Sequence, residues 1–141
     1  MTRNLILLPF CLLVGTLLSC VTTNAQPRSM IGPKFTFERV EVVDSEIEVV
    51  VTDADALSAI RTILQQSTEV ADSIETIEFA EKKKLRLIAA NARESRIYLV
   101  DLKNGYATIL SKQVMPVYHL RDLDRFNEIL QASGKPTPTA R

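Results

Sequence analysis

Along the chain, hydrophobic and polar positions switch between a period of two and a helical period. Phe35 and Phe37, then Val40 and Val42, alternate as in a strand. Their phase slips at Glu38-Arg39, where a bulge or bend is expected. Asp44-Ser45 is turn material. Ile47, Val49 and Val51 then alternate with Glu48, Val50 and Thr52, the pattern of a half-buried strand. Thr52-Asp53 can cap a helix. Leu57, Ile60, Ile63 and Leu64 recur at helical spacing, so the pattern predicts a helix over 54–66. Residues 67–76 are polar and read as a connection, with room for a short helical turn. Ile77 and Phe79 open another strand. Leu85, Leu87 and Ala89 alternate with Arg86, Ile88 and Ala90, and Ile97, Leu99 and Asp101 alternate with Tyr98, Val100 and Leu102. Asn104-Gly105 is a two-residue hairpin signal, with Tyr106 to Leu110 as the return strand. Val114 to His119 forms one more strand, which Pro116 assigns to an edge or marks at its start. Asp122 opens a last helix with Leu123, Phe126, Ile129 and Leu130 on one face.

These elements define an α+β class: a mostly antiparallel sheet of about five to seven strands with two amphipathic helices on one face. Residues 34–133 form the single domain. This block holds one glycine (Gly105) and one proline (Pro116), so turns are short and secondary structure is dense. About 100 residues suffice for a self-standing core. The helices also resemble one another. Residues 57–67 and 123–133 share five identical positions out of 11, and each stretch follows a Val-containing strand. Duplication of a strand-helix unit and the general likeness of amphipathic helices both account for this.

The ends of the chain differ from this block. Arg3 precedes Leu5 to Leu18, a run of 14 residues without a charge and interrupted by Pro9 and Gly15. A spanning helix needs about 20 apolar residues, so the run reads as an export signal covering 1–19. Leu17-Leu18-Ser19-Cys20 resembles the lipobox of bacterial lipoproteins. That resemblance implies lipid attachment at Cys20, an acyl chain such as palmitate on its sulfur, and cleavage by the lipoprotein signal peptidase just before it. In a cell with two membranes, Val21 after the cysteine implies an outer-membrane position facing the periplasm. Thr23-Asn24-Ala25 offers the competing reading, ordinary cleavage after Ala25 and a soluble secreted ligand-binding protein. Residues 20–33 read as a flexible tether and 134–141 as a disordered tail.

Charge and composition narrow the chemistry. Seventeen Lys and Arg balance 17 Asp and Glu, which argues against a nucleic-acid partner. Yet residues 38–81 hold twelve acidic and two basic side chains, whereas 82–141 hold twelve basic and five acidic. The split describes either a two-signed surface or acidic and basic strands paired in one sheet. After Cys20 no cysteine remains, so there is neither a disulfide scaffold nor a thiol nucleophile in the domain. One His and two Cys are too few for a structural zinc site. One glycine in the domain cannot build a phosphate loop. Asp53-x-Asp55 lacks the remaining ligands of a calcium loop and fits a helix cap better. Ser111, His119 and Asp101 or Asp122 could be assembled into a catalytic set, but no spacing selects them. The expectation is therefore a non-enzyme without cofactor or metal. It would be held to the membrane by its lipid and bind or support a protein partner in the envelope, or else act as a periplasmic inhibitor or immunity protein. Candidate partner contacts are Tyr98 and Tyr106, which flank the Asn104-Gly105 turn, and the Lys82-Lys83-Lys84 run. That run could touch anionic headgroups or form a solvated hairpin tip.

Overall fold

Strands with alternating or fully apolar sequence can satisfy their backbone only by pairing, and here they pair into a single sheet. In the computed structural model, which describes residues 28–71, 77–90, 93–110 and 115–134, seven strands and two helices are present. They are β1 (Arg39–Val43), β2 (Ile47–Val51), α1 (Ala54–Gln65), β3 (Thr68–Ala71), β4 (Lys82–Ile88), β5 (Ser95–Asp101), β6 (Tyr106–Ile109), β7 (Val117–His119) and α2 (Leu123–Ser133). The sheet order is β2-β1-β4-β5-β6-β7-β3, and every neighbouring pair is antiparallel. The chain therefore runs from one edge strand, β2, through α1 to the other edge strand, β3.

The helices start where Asp supplies an acceptor for the free N–H groups of the first turn. Asp53 accepts from the Ala56 N–H at 2.9 Å, and Asp122 accepts from the Arg125 N–H at 3.3 Å. Leu57, Ile60, Ile63 and Leu64 of α1 and Phe126, Ile129 and Leu130 of α2 are buried. They belong to one cluster with Val40, Val42, Leu85, Leu87, Tyr98, Val100 and Ala107 of the sheet. The strand-helix likeness covers the two helices, but their preceding strands differ in place: β2 is an edge strand and β7 lies inside the sheet.

Five sequence expectations are corrected. Met30 and Ile31 are buried at 5% and 0% exposure, so residues expected in the tether pack into the core ahead of Lys34. Residues 68–71 form β3 and not a loose connection; pairing with β7 confers strand character that their own sequence lacks. Ile77 and Phe79 lie outside any strand, although Phe79 is buried. The Lys82–Lys84 run is no hairpin tip, because it forms the first three residues of β4 and β4 pairs on both sides. The slip at Glu38-Arg39 also resolves differently: β1 starts at Arg39, and Phe35 and Phe37 enter the core from irregular backbone.

The β5–β6 connection is wider than a two-residue hairpin. Residues 102–105 make the turn, and only Gly105 takes a positive φ, 76°. A Cβ there would sit 3.3 Å from Leu123 Cδ2, while the Gly105 carbonyl accepts from the Leu120 N–H at 2.8 Å. Gly105→Ala is expected to lower stability by about 1–2 kcal/mol through left-handed strain and the Leu123 contact, read from urea unfolding.

Candidate functional site

Residues directly opposed in an antiparallel pair share one face of the sheet, so the register defines two surfaces. One face carries the rows Val51–Val40–Leu87, Val49–Val42–Leu85–Tyr98–Ile109 and Lys83–Val100–Ala107–Tyr118. Most of these side chains belong to the buried cluster or pack against it. The other face carries Val50–Glu41–Arg86–Ile97, Ile47–Val43–Lys84–Leu99–Thr108 and Arg39–Ile88–Ser95. Leu110 joins the first of these rows, since its N–H donates to the Ile97 carbonyl at 3.0 Å.

This second face is apolar and incompletely covered. Val43, Val50, Ile88, Ile97 and Leu99 are half-buried, and Ile47 and Leu110 keep 51% and 44% of their surface exposed. Cations stand among them. Lys82 and Lys84 are exposed, and the side chains of Arg39 and Arg86 are 45% and 39% exposed. The two carboxylates of this face are both buried and both satisfied. Glu41 accepts from Arg39 at 2.7 Å and from Arg86 at 2.9 Å. Asp101 accepts from the backbone N–H groups of Ala80 (2.7 Å), Glu81 (3.2 Å), Lys103 (3.0 Å) and Asn104 (3.3 Å), and from the Asn104 side chain (3.0 Å). Burial alone would raise the Asp101 pKa; the four backbone donors outweigh it and hold the carboxyl below its ordinary value.

Of the sequence-predicted contacts, only some reach this surface. Tyr98 and Tyr106 do not meet, because they lie on opposite faces. Tyr98 is 1% exposed, and its hydroxyl donates to the Met30 carbonyl at 3.1 Å. Burial pushes its pKa up. It is a core residue, and the expectation of a partner contact there is corrected. Tyr106 is half-buried, with its ring 5.4 Å from His119 and 6.3 Å from Phe79. Lys82 and Lys84 project from the second face, whereas Lys83 points to the first and pairs with Glu48. The hydrogen bond to Glu48 and the fields of Glu48, Asp44 and Glu81 raise the Lys83 pKa against the opposing effect of burial. Cys20 lies outside the described residues, as does Ser111.

The charge split is in part consumed inside the sheet. Glu41 with Arg86, and Glu48 with Lys83, join the acidic half of the chain to the basic half across strands. Asp53, weighed against a calcium loop, serves as the α1 cap. Among the described residues no three His, Cys, Asp or Glu side chains converge as metal ligands would, and no helix is long and apolar enough to cross a membrane. A groove of about 430 Å³ near the C-terminal end of α2 is lined by Glu48, Lys83, Glu81, Asn127 and Gln131. Its polar groups are already engaged in part: Lys83 with Glu48, and Asn127 with the Leu102 carbonyl at 3.0 Å.

Reasoning from the sequence named the lysines but missed the apolar residues between them. The signal was present: in β4 and β5 both parities are apolar, with Leu85, Leu87 and Ile88 and with Ile97, Tyr98, Leu99 and Val100, where a strand with one wet face would alternate. No family model matches the chain, and neither a curated protein nor a solved structure matches it.

Proposed function

We propose that this protein is an exported lipoprotein, acylated at Cys20, whose small α+β domain serves as a non-catalytic binding module against the envelope. The observation that carries the reading is the spacing of anchor and domain. The Leu17-Leu18-Ser19-Cys20 run stands only seven residues ahead of Arg28. From Arg28 on, the chain is tied down: its carbonyl accepts from the Glu69 N–H at 3.2 Å, and the Met30 N–H donates to Ser67 at 2.8 Å. Seven residues reach at most about 25 Å when fully extended. An anchor at Cys20 therefore keeps the domain beside the membrane.

In this reading both helices cover the face that carries Val40, Val42, Leu85 and Leu87. Supporting it, the buried residues of α1 and α2 share one cluster with those side chains. The second face, with Ile97 and Leu99 at its centre, is left for binding. Beside Ser95 and the buried Thr108, its side chains are aliphatic or cationic, and its carboxylates are already satisfied, which suits adhesion and not acid-base chemistry.

The test is the mass of the N-terminal peptide of the full-length protein recovered from its own envelope, together with fractionation of Cys20→Ser. Diacylated Cys20, and a shift of Cys20→Ser from the membrane to the soluble fraction by about tenfold or more, are the expected results, since two acyl chains make a stable anchor. A mature chain beginning at Gln26 would overturn the reading.

A further inference from the structure

We infer that the second sheet face docks flat on an anionic phospholipid surface. The inference rests on the reading of that face as the one left open by the helices. Its composition matches an interface between water and lipid. Ile47, Ile97, Leu99 and Leu110 supply apolar area, and Lys82 and Lys84 stand exposed within the same face. Arg39 and Arg86 add two further cations, against the buried carboxylates of Glu41 and Asp101.

The helices with their caps have the opposite sign. The two helices and their caps carry Asp53, Asp55, Asp122, Asp124 and Glu128 against Arg61 and Arg125. A negatively charged membrane therefore attracts one side of the domain and repels the other, which orients it. Acidic side chains near the second face stand at strand ends, Asp44 and Glu46 in the β1–β2 turn and Glu94 before β5. Long aliphatic stems let Lys82 and Lys84 reach headgroup phosphates while the strands lie parallel to the surface. The anchor adds proximity: with at most about 25 Å of chain between Cys20 and Arg28, the domain stays close to the headgroups. Lipid, and not a protein or a second copy, is the occupant that both the tether length and the charge arrangement favour.

The chain contains no Trp, so a single introduced Trp reports on its own surroundings. The experiment uses the mature chain from residue 20 with Cys20→Ser, so that binding does not depend on acylation. Leu110→Trp is placed on the face, and Gln131→Trp, exposed on α2, is the control. Both are mixed with phosphatidylcholine vesicles with and without phosphatidylglycerol. The expected result is a blue shift for Leu110→Trp with anionic vesicles only, weakened by salt, and none for Gln131→Trp. Adding Lys82→Gln and Lys84→Gln is expected to lower partitioning by about 25-fold, roughly fivefold per cation near an anionic surface; circular dichroism checks that the fold is retained. Equal shifts at the two positions, or no binding to anionic vesicles, would overturn the inference. So would a Leu110→Trp blue shift that grows with protein concentration without lipid, because the face would then cover a second copy. Crosslinking from position 110 to a protein in intact envelopes would assign the face to that partner and overturn it as well. Because the assayed chain is not acylated, a negative result leaves the Cys20 anchor standing, and a soluble N-terminus at Gln26 leaves the vesicle result standing.

Discussion

A chain that begins at Lys34 is expected to lose about 5 kcal/mol of stability relative to one that begins at Gln26. The loss comes from three sources. Met30 and Ile31 are almost fully buried, and each such side chain contributes about 1.5–3 kcal/mol. The Tyr98 hydroxyl, inside the core, loses the Met30 carbonyl that it donates to, a cost of about 1–3 kcal/mol for a buried group left unpaired. Ser67 loses the Met30 N–H, although its own hydroxyl still donates to the Leu64 carbonyl at 2.7 Å. A domain of this size has about 5–15 kcal/mol in total, so the shorter chain is marginal or unfolded. Urea and thermal unfolding of the two chains decide it, with a Tm difference upwards of about 20 °C. Equal midpoints would show that residues 28–33 are dispensable and that the domain does start at Lys34. The result also bears on the proposed function, because every residue taken from the tether and given to the domain brings the domain closer to the anchor proposed at Cys20.

The physical reasons for success and failure in reading the sequence are specific. Both helices were legible, including their Asp caps, because amphipathic periodicity and capping are local: Leu57, Ile60, Ile63 and Leu64 fall on one side whatever the rest of the chain does. The β1–β2 hairpin and β5 were legible for the same reason. What could not be read was structure created by distant partners. Thr68 to Ala71 has no alternation to mark it, and becomes a strand through the registers Thr68 to His119 and Glu69 to Tyr118. Residues 28–33 contain Gly32 and Pro33 and look like linker; two buried apolar side chains fix them, together with hydrogen bonds to the distant Ser67, Glu69 and Tyr98 that the local sequence does not announce. Tyr98 and Tyr106 look like hairpin neighbours, but a two-residue and a four-residue turn alike set them on opposite faces, as the pair Val100 to Ala107 shows, so their separation was legible and was missed. The proposed binding face was half legible. Lys82 and Lys84 stood out as charge, whereas Ile97 and Leu99 were indistinguishable from the core residues Tyr98 and Val100 until register assigned each to its side.

Asp101→Ala is expected to cost about 3–5 kcal/mol, the other large effect in this molecule, although Asp101 sits within the proposed binding face. Its carboxylate is 0% exposed and gathers donors from two separate segments. Ala80 and Glu81 belong to the stretch entering β4; Lys103 and Asn104 belong to the β5–β6 turn. Removing the acceptor leaves four backbone N–H groups to find water, and frees both the turn and the entry to β4. Asp101→Asn keeps one acceptor oxygen and the shape, so it is expected to cost less, about 1.5–3 kcal/mol. The pH dependence separates this role from simple packing. The folded-state pKa lies below the unfolded value of about 3.9, so the stabilisation is fully present above that value. It is lost as pH falls from there through the lowered folded-state pKa. The wild-type chain should therefore lose stability in this acid range more steeply than Asp101→Asn, which has no proton to bind there. Parallel acid profiles for the two chains would remove Asp101 as the carboxylate responsible. At neutral pH, vesicle partitioning of folded Asp101→Asn should rise slightly or hold, because the substitution removes a negative charge from the cationic face. A fall would show that the turn ordered by Asp101, and not only the cations beside it, forms part of the surface that meets lipid.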